Sequence, residues 1–142
     1  MASRVVVDTN VLVGAVLSAS ASDNREVVRR CLNRRVQPII GVALFHEYEE
    51  LFERPEPLRR SPLTAPERQE LFEAFLSVCE WVRVYYLWRP NLPDEADNHL
   101  IELAIAGGAD VIITNNIRDV GLGELKFPGL GIVTPKQFLQ TH

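Results

Sequence analysis

A β-branched apolar run that ends in three polar residues constrains the fold of this chain more than any other feature. Val5-Val6-Val7 is typical of a strand buried on both faces, as in a parallel sheet, and Asp8-Thr9-Asn10 follows it directly. Open α/β folds bind ligands beyond the carboxyl ends of their strands. Asp8 is therefore the first candidate for chemistry, although Asp8 or Asn10 is equally typical of an N-cap for a helix beginning near Val11.

The rest of the chain alternates helical and strand patterns. The patterns predict helices at 23–34, 43–53 and 67–78, a helix ended by Gly107-Gly108, and a short one at 135–139, with strands at 37–41, 81–86, 109–116 and 131–133. Asp23 with Glu26 has capping-box spacing at the first of these helices. This order predicts one domain over residues 1–142. Its fold class is α/β, with three α/β/α layers and a mainly parallel five-stranded sheet in the order 3-2-1-4-5.

The composition narrows the class of protein without assigning a function. The two cysteines, Cys31 and Cys79, are expected to be core thiols rather than a disulfide framework. No apolar run approaches the roughly 20 residues of a membrane span, and no leader pattern precedes the first strand, so we expect a soluble, cytoplasmic protein without a membrane partner. The net charge of −4 argues against a broad nucleic-acid coat but allows a local basic rim.

Three arginines are candidates for such a rim. The proline-rich segment 54–66 contains Arg54, Arg59 and Arg60 and is expected to form a loop or broken helix. We consider these arginines possible phosphate contacts, although arginines in such segments are more often ordinary surface charge.

A second acidic stretch precedes the fourth strand. Asp94 and Asp97 are three residues apart and share one face of a helix N-terminus, where a cap would need only one acid. The fourth strand then runs into Thr114 and Asn116. With strands one and four as neighbours, we expect these polar tips close to Asp8, with the two acids delivered by the preceding helix.

The helix at 43–53 offers two more candidate acids. Glu47 and Glu49 flank its apolar stripe on opposite sides, so helix geometry leaves the choice between them open, and a solvated helix face is the simplest interpretation of either. We interpret His46 and His99 as helix-surface residues rather than catalytic bases.

These residue types favour one kind of metal chemistry. Three or four carboxylates with Asn and Thr, and no His/Cys cluster at zinc spacing, provide the hard oxygen ligands that suit Mg²⁺ or Mn²⁺. A divalent cation offsets the repulsion between the acids, polarises a phosphodiester and lowers the pKa of an attacking water. The expected reaction is hydrolytic phosphodiester cleavage.

Four motifs also resemble a known family, in its order and over nearly the whole chain. They are Val-Val-Asp-Thr-Asn-Val-Leu-Val, His-Glu-Tyr-Glu-Glu-Leu, Pro-Asp-Glu-Ala-Asp-Asn-His-Leu-Ile-Glu-Leu-Ala and Ala-Asp-Val-Ile-Ile-Thr-Asn-Asn-Ile-Arg-Asp. Each is weak alone, but together they are similar to the successive motifs of PIN-domain ribonucleases, and the resemblance is closest to bacterial and archaeal toxin-type members.

The resemblance implies specific roles for the acids. It makes Asp8, Glu47 and Asp97 the core catalytic and metal-binding acids, adds Asp94 as a metal ligand, and gives Thr114 a polar contact. It also implies a metal-dependent endoribonuclease that dimerises and is held inactive by a cognate antitoxin reaching the acidic site.

The chain departs from the family pattern at Asn116, where members often have a fourth acid. The missing acid affects the position at which the family pattern would hold a second metal ion. Asp119 is an alternative source of that acid, although a turn cap is its simpler interpretation.

Two other functions remain open from the sequence. A phosphoryl-transfer enzyme could use Asp8 as a nucleophile. Haloacid-dehalogenase-type phosphatases, however, need a second aspartate where this chain has Asn10. A catalytically weak RNA-binding or interaction module is favoured by Asn116 and by the negative net charge.

Overall fold

The computed structural model describes residues 2–18, 21–54, 58–84, 98–117 and 129–141. In these ranges the strands are β1 (Ser3–Val7), β2 (Val36–Ile40), β3 (Glu80–Trp81), β4 (Val111–Ile113) and β5 (Gly131–Val133). The helices are α1 (Thr9–Leu17), α2 (Asp23–Leu32), α3 (Val42–Glu53), α4 (Ala65–Val78), α5 (Asn98–Gly107) and α6 (Pro135–Thr141).

The sheet has the predicted strand order. Its five strands run β3-β2-β1-β4-β5, and each neighbouring pair is parallel. The central strand β1 places Ser3 opposite Val36 of β2 and Val7 opposite Ile113 of β4. Because β1 has a strand on each side and helices over the sheet, Val5 to Val7 are fully buried.

Helices pack against one another and cover the sheet. Helix α2 contacts α1, α4 and α6, whereas α5 lies on β1, β2 and β4 and also contacts α3. This confirms the three-layer α/β/α architecture, which brings the carboxyl ends of β1 and β4 together beside the start of α1.

The start of α2 differs from the predicted capping box. Ser22 is the N-cap, and its hydroxyl accepts a hydrogen bond from the backbone N–H of Arg25 at 3.1 Å. Glu26 instead binds Arg29 at 2.6 Å, one turn along the helix. The prediction placed the cap one residue late because serine and aspartate are both good N-caps.

Helix α4 begins with a capping box that was not predicted from the sequence. The Thr64 hydroxyl accepts from the Glu67 N–H at 3.3 Å, and the Glu67 carboxylate accepts from the Thr64 N–H at 2.8 Å. The helix therefore begins at Ala65, two residues before its predicted start. Ser61 donates to the Val16 carbonyl at 2.6 Å, which attaches the preceding loop to α1.

Two strands are shorter than predicted. β3 ends at Trp81 and residues 82–84 are not strand, while Tyr85 and Tyr86 lie outside the described residues. β4 ends at Ile113 because the chain turns there: the Asn115 N–H donates to the side chain of Asn10 rather than to a neighbouring strand.

Other expectations concern the thiols and membrane spans. Cys31 is buried and Cys79 partly buried, both are free thiols, and burial raises the pKa of Cys31 to about 12. Across the described ranges, no helix has the length and apolar character needed to cross a bilayer.

A close contact between α1 and α2 gives a stability prediction. A Cβ at Gly14 would lie 2.1 Å from Nδ2 of Asn24, so Gly14→Ala must displace that side chain. In an Asn24→Ala background the same change should raise the free energy of unfolding by about 0.5–1 kcal/mol, the usual gain for replacing a helical glycine. Urea unfolding should show no such gain when Asn24 is present. Equal gains in both backgrounds would refute the contact.

Candidate functional site

Two buried polar residues meet at the carboxyl ends of β1 and β4. Asp8 follows Val7, Thr114 follows Ile113, and the β1–β4 register places these two strand ends side by side. The Thr114 hydroxyl donates to Oδ2 of Asp8 at 2.7 Å. Only 8% of Asp8 and none of Thr114 is exposed, so the two residues form the buried floor of the site.

Asp8 also caps α1. Its Oδ1 accepts a hydrogen bond from the backbone N–H of Thr9 at 2.7 Å, while its Oδ2 accepts from Nδ2 of Asn10 at 3.2 Å. The helix-cap interpretation is therefore correct, and it is compatible with a functional one because Oδ2 is directed to the site residues. Capping fixes the carboxylate where the sheet ends.

A chain of asparagine side chains fixes the orientation of Asn10. Its Oδ1 accepts from the Asn115 N–H at 3.1 Å, which leaves Nδ2 facing Asp8 and Thr114. Asn115 in turn donates to Oδ1 of Asn24 at 2.9 Å. These hydrogen bonds connect Asn24 of α2 to the carboxylate of Asp8. The sequence analysis did not identify Asn24 or Asn115, because neither belongs to a recognisable charge pattern.

Glu47 of α3 reaches the same site. Its Oε1 accepts from the Thr9 hydroxyl at 2.9 Å, and its Oε2 is hydrogen-bonded to Nε2 of His99. The carboxylate of Glu49 instead lies 3.6 Å from Nδ1 of the exposed His46. The structure thus answers the question that helix geometry left open: Glu47, not Glu49, lies at the site.

The interpretation of His99 as a surface residue is wrong. Its side chain is only 13% exposed, whereas that of His46 is 67% exposed, as expected. Residues Leu100, Ile101, Leu103 and Ala104 are buried. Helix α5 is therefore apolar around most of its circumference, a signal that could have predicted a buried histidine.

Burial and hydrogen bonding shift the pKa values of the two acids in opposite directions. Burial raises the pKa of Asp8, with the negative charge of Glu47 adding to the effect, and the hydrogen bonds from Thr114 and Thr9 only partly oppose it. Burial also acts to raise the pKa of Glu47, but His99 and the Thr9 hydroxyl outweigh it, so that pKa is lowered. A cation at this site would relieve the cost of keeping Asp8 ionised.

The donor set has the chemistry of a hard-cation site. Asp8 and Glu47 contribute carboxylates, and Thr9 and Thr114 contribute hydroxyl oxygens, whereas Asn10 presents its Nδ2 to Asp8 and Thr114. Such ligands fit Mg²⁺ or Mn²⁺. Among the described residues, no three acidic, histidine or cysteine side chains are grouped closely enough to hold a metal.

Asp94, Asp97 and Asp119 lie outside the described residues. Asn116 is exposed at the tip of β4, and its backbone N–H donates to the Thr114 hydroxyl at 3.0 Å.

One of the three candidate arginines lies near Glu47. A cavity of about 200 Å³ is lined by Glu47, Glu50, Leu51 and Arg54, and Arg54 forms an ion pair with Glu50 one turn earlier. Arg59 and Arg60 are exposed and do not line this cavity.

Tyr48, one residue after Glu47 on α3, supports the site from within the core. It is 1% exposed, and its hydroxyl donates to the carbonyl of Val7, immediately before Asp8. This bond connects α3 to the end of β1, and thereby places Glu47 relative to Asp8.

Thr114 provides a test of the buried hydrogen bonds. Thr114→Val keeps the shape of the side chain but leaves buried polar groups unpaired, so it should lower the free energy of unfolding by about 1–3 kcal/mol at neutral pH. The bond from Thr114 lowers the pKa of Asp8, so this pKa should be higher in the Thr114→Val protein. The deficit should be complete where Asp8 is ionised in both proteins, and it should shrink as the pH falls from the folded-state pKa of the variant to that of the unmodified protein.

Urea unfolding of metal-free protein at several pH values measures this dependence. Thr114→Ser, which keeps the hydroxyl, is the control and should show little pH-dependent deficit. A deficit of Thr114→Val that does not change with pH would show that its hydroxyl does not stabilise ionised Asp8.

Comparisons with known proteins concern the fold and the family of the chain. The sequence profile of the PIN domain matches residues 4–118. No curated protein sequence matches the chain. Among solved structures, the chain is similar to the crystal structure of VapBC2 from Rickettsia felis bound to a DNA fragment from their promoter, with a TM-score of 0.58 and 16% identity over 92% of this chain and 98% of that one. Because the profile spans most of the chain, the protein belongs to the PIN-domain family.

Proposed function

We propose that this protein is a metal-dependent endoribonuclease that hydrolyses RNA phosphodiester bonds. The observation that carries the proposal is the meeting of Asp8 and Glu47, two acids from distant parts of the sequence, at the carboxyl edge of the sheet through Thr9. Membership of the PIN-domain family supports nuclease chemistry. We propose Asp97 as the third core acid, Asp94 as an additional metal ligand, and residues 1–142 as one nuclease domain.

Each residue of the site would have a defined task. Bound Mg²⁺ or Mn²⁺ would supply a Lewis acid for the phosphodiester and lower the pKa of the attacking water. Thr114 and Asn10 keep Oδ2 of Asp8 in place by donating to it, and Thr9 holds Oε1 of Glu47. These donors favour ionised carboxylates, the form that binds a cation.

Asn116 limits how strongly the site can hold a second ion. An amide oxygen can bind a hard cation but contributes no charge, so we expect weaker binding than with an acid at this position. One ion is then the expected occupancy until an RNA phosphate supplies another oxygen.

The cavity beside Glu47 provides a path for the RNA backbone. Arg54 lies at this cavity together with Glu47, so a phosphate bound there would be next to the proposed metal site. We rank Arg54 above Arg59 and Arg60 as a phosphate contact for this reason.

We also propose that the protein is the cytoplasmic toxin of a toxin–antitoxin pair, and that it forms a homodimer that its cognate antitoxin inhibits. The toxin-type motifs in the sequence and the fold shared with the Rickettsia felis VapBC2 structure support this role.

The nuclease proposal predicts different effects for two glutamates on one helix. Asp8→Asn and Glu47→Gln should each lower Mg²⁺-dependent cleavage of single-stranded RNA by more than about 100-fold, since even outer partners of a metal are worth about 10–100-fold. Glu49→Gln should remain within about twofold of the unmodified protein, because Glu49 faces His46 rather than the site.

Initial rates on a defined RNA pool, with and without EDTA, measure these effects. EDTA should abolish cleavage and excess Mg²⁺ should restore it. RNA binding without cleavage under all conditions would favour the interaction module instead, and equal losses from Glu47→Gln and Glu49→Gln would reject the assignment of Glu47.

Arg54 gives a separate prediction about substrate binding. Arg54→Ala should raise KM about three- to tenfold with little change in kcat, because it removes a phosphate contact but no residue of the acidic site. The slope of log affinity against log salt should become shallower by about 0.7, the value for one contact to single-stranded nucleic acid. Arg60→Ala, outside the cavity, is the matched control, and equal effects from both changes would contradict the proposed path.

A further inference from the structure

We propose that His99 is a positioning residue that orients the carboxylate of Glu47 for metal binding. The inference rests on the proposed function, and it concerns a residue for which neither the sequence motifs nor the comparisons provide a role. His99 would act through Glu47 without touching the RNA or the cation itself.

The geometry links the two side chains closely. Nε2 of His99 is hydrogen-bonded to Oε2 of Glu47, while Thr9 donates to Oε1 of the same carboxylate. Both oxygens are therefore held from opposite ends, which fixes the plane of the carboxylate. Outer hydrogen bonds of this kind orient metal ligands and typically change metal affinity or activity about 10–100-fold when removed.

The ring of His99 makes few other polar interactions within the described residues. It is largely buried on α5, and its Nδ1 has no hydrogen-bond partner among the described residues. Its one polar bond within the described part of the chain is thus the bond to Glu47. Because α3 and α5 are in contact, this bond also determines the position of the glutamate relative to α5.

Helix α3, which carries Glu47, also contains an exposed histidine–glutamate pair that serves for comparison. His46 and Glu49 are 3.6 Å apart, and their side chains are 67% and 42% exposed. Water competes for an exposed pair of this kind, so it orients neither partner strongly. Changes at His46 therefore control for the loss of a histidine without the loss of the buried bond.

Metal affinity of four variants tests the proposal. Isothermal titration with Mn²⁺ should show about tenfold weaker binding for His99→Leu, which removes the donor. His99→Gln places an amide nitrogen near the position of Nε2 and should bind within about threefold of the unmodified protein. His99→Asn is polar but too short and should resemble His99→Leu, whereas His46→Leu should have no effect.

A double-mutant cycle shows whether His99 acts through Glu47. In a Glu47→Ala background, His99→Leu should weaken Mn²⁺ binding less than twofold further. A tenfold loss in that background, or equal losses from His99→Gln and His99→Asn, would overturn the proposal. If His99→Leu fails to fold, the comparison of Gln with Asn still decides the matter.

The pair can also be tested without metal or RNA, so that failure of the nuclease proposal remains distinguishable. In metal-free protein, the shift in urea midpoint caused by His99→Asn, which loses the bond to Glu47, should be non-additive with that of Glu47→Ala, because both changes remove the same bond. His99→Gln, which keeps a donor within reach of Glu47, should give a nearly additive shift. Additive shifts for all pairs would show that the bond does not exist in solution. If His99→Asn and Glu47→Ala are non-additive but the protein does not cleave RNA, the bond between His99 and Glu47 is supported and only the nuclease proposal is rejected.

Discussion

The hydrogen bond between Thr114 and Asp8 is the interaction on which the site depends. It joins the first residues after two neighbouring strands and places a carboxylate where only a small fraction of it reaches solvent. An ionised group so buried costs folding free energy unless donors surround it. The threonine, the cap at Thr9 and the amide of Asn10 supply those donors.

The surrounding packing keeps this polar group in position. Helix α3 is attached to the end of β1 by the buried hydroxyl of Tyr48, and the same helix presents Glu47 to the first turn of α1. On the other side, Asn115 and Asn24 connect the tip of β4 to α2. Helices α1, α2, α3 and α5 and strands β1 and β4 thus converge on one edge of the sheet, which makes the site a product of the tertiary fold rather than of one motif.

The strand order and the pairing of Asp8 with Thr114 could be predicted from the sequence, because parallel strands bring their carboxyl ends to one edge. The choice of Glu47 over Glu49 could not be made from helix geometry, since both flank the apolar stripe. His99 was placed on the surface because the expected metal chemistry needs no histidine, yet α5 is buried around most of its circumference. The expected parts played by Asp94 and Asp97 stay predictions.

The connection between β1 and α1 consists of a single residue. Val7 ends the strand, Thr9 begins the helix, and Asp8 alone lies between them. Loops in α/β proteins usually absorb insertions and deletions during evolution. Here no slack exists, because one added residue would rotate the acid away from the strand end and separate it from the helix that it caps. The length of this junction is therefore a constraint on the position of the acid in its own right, beside the hydrogen bonds that hold the carboxylate.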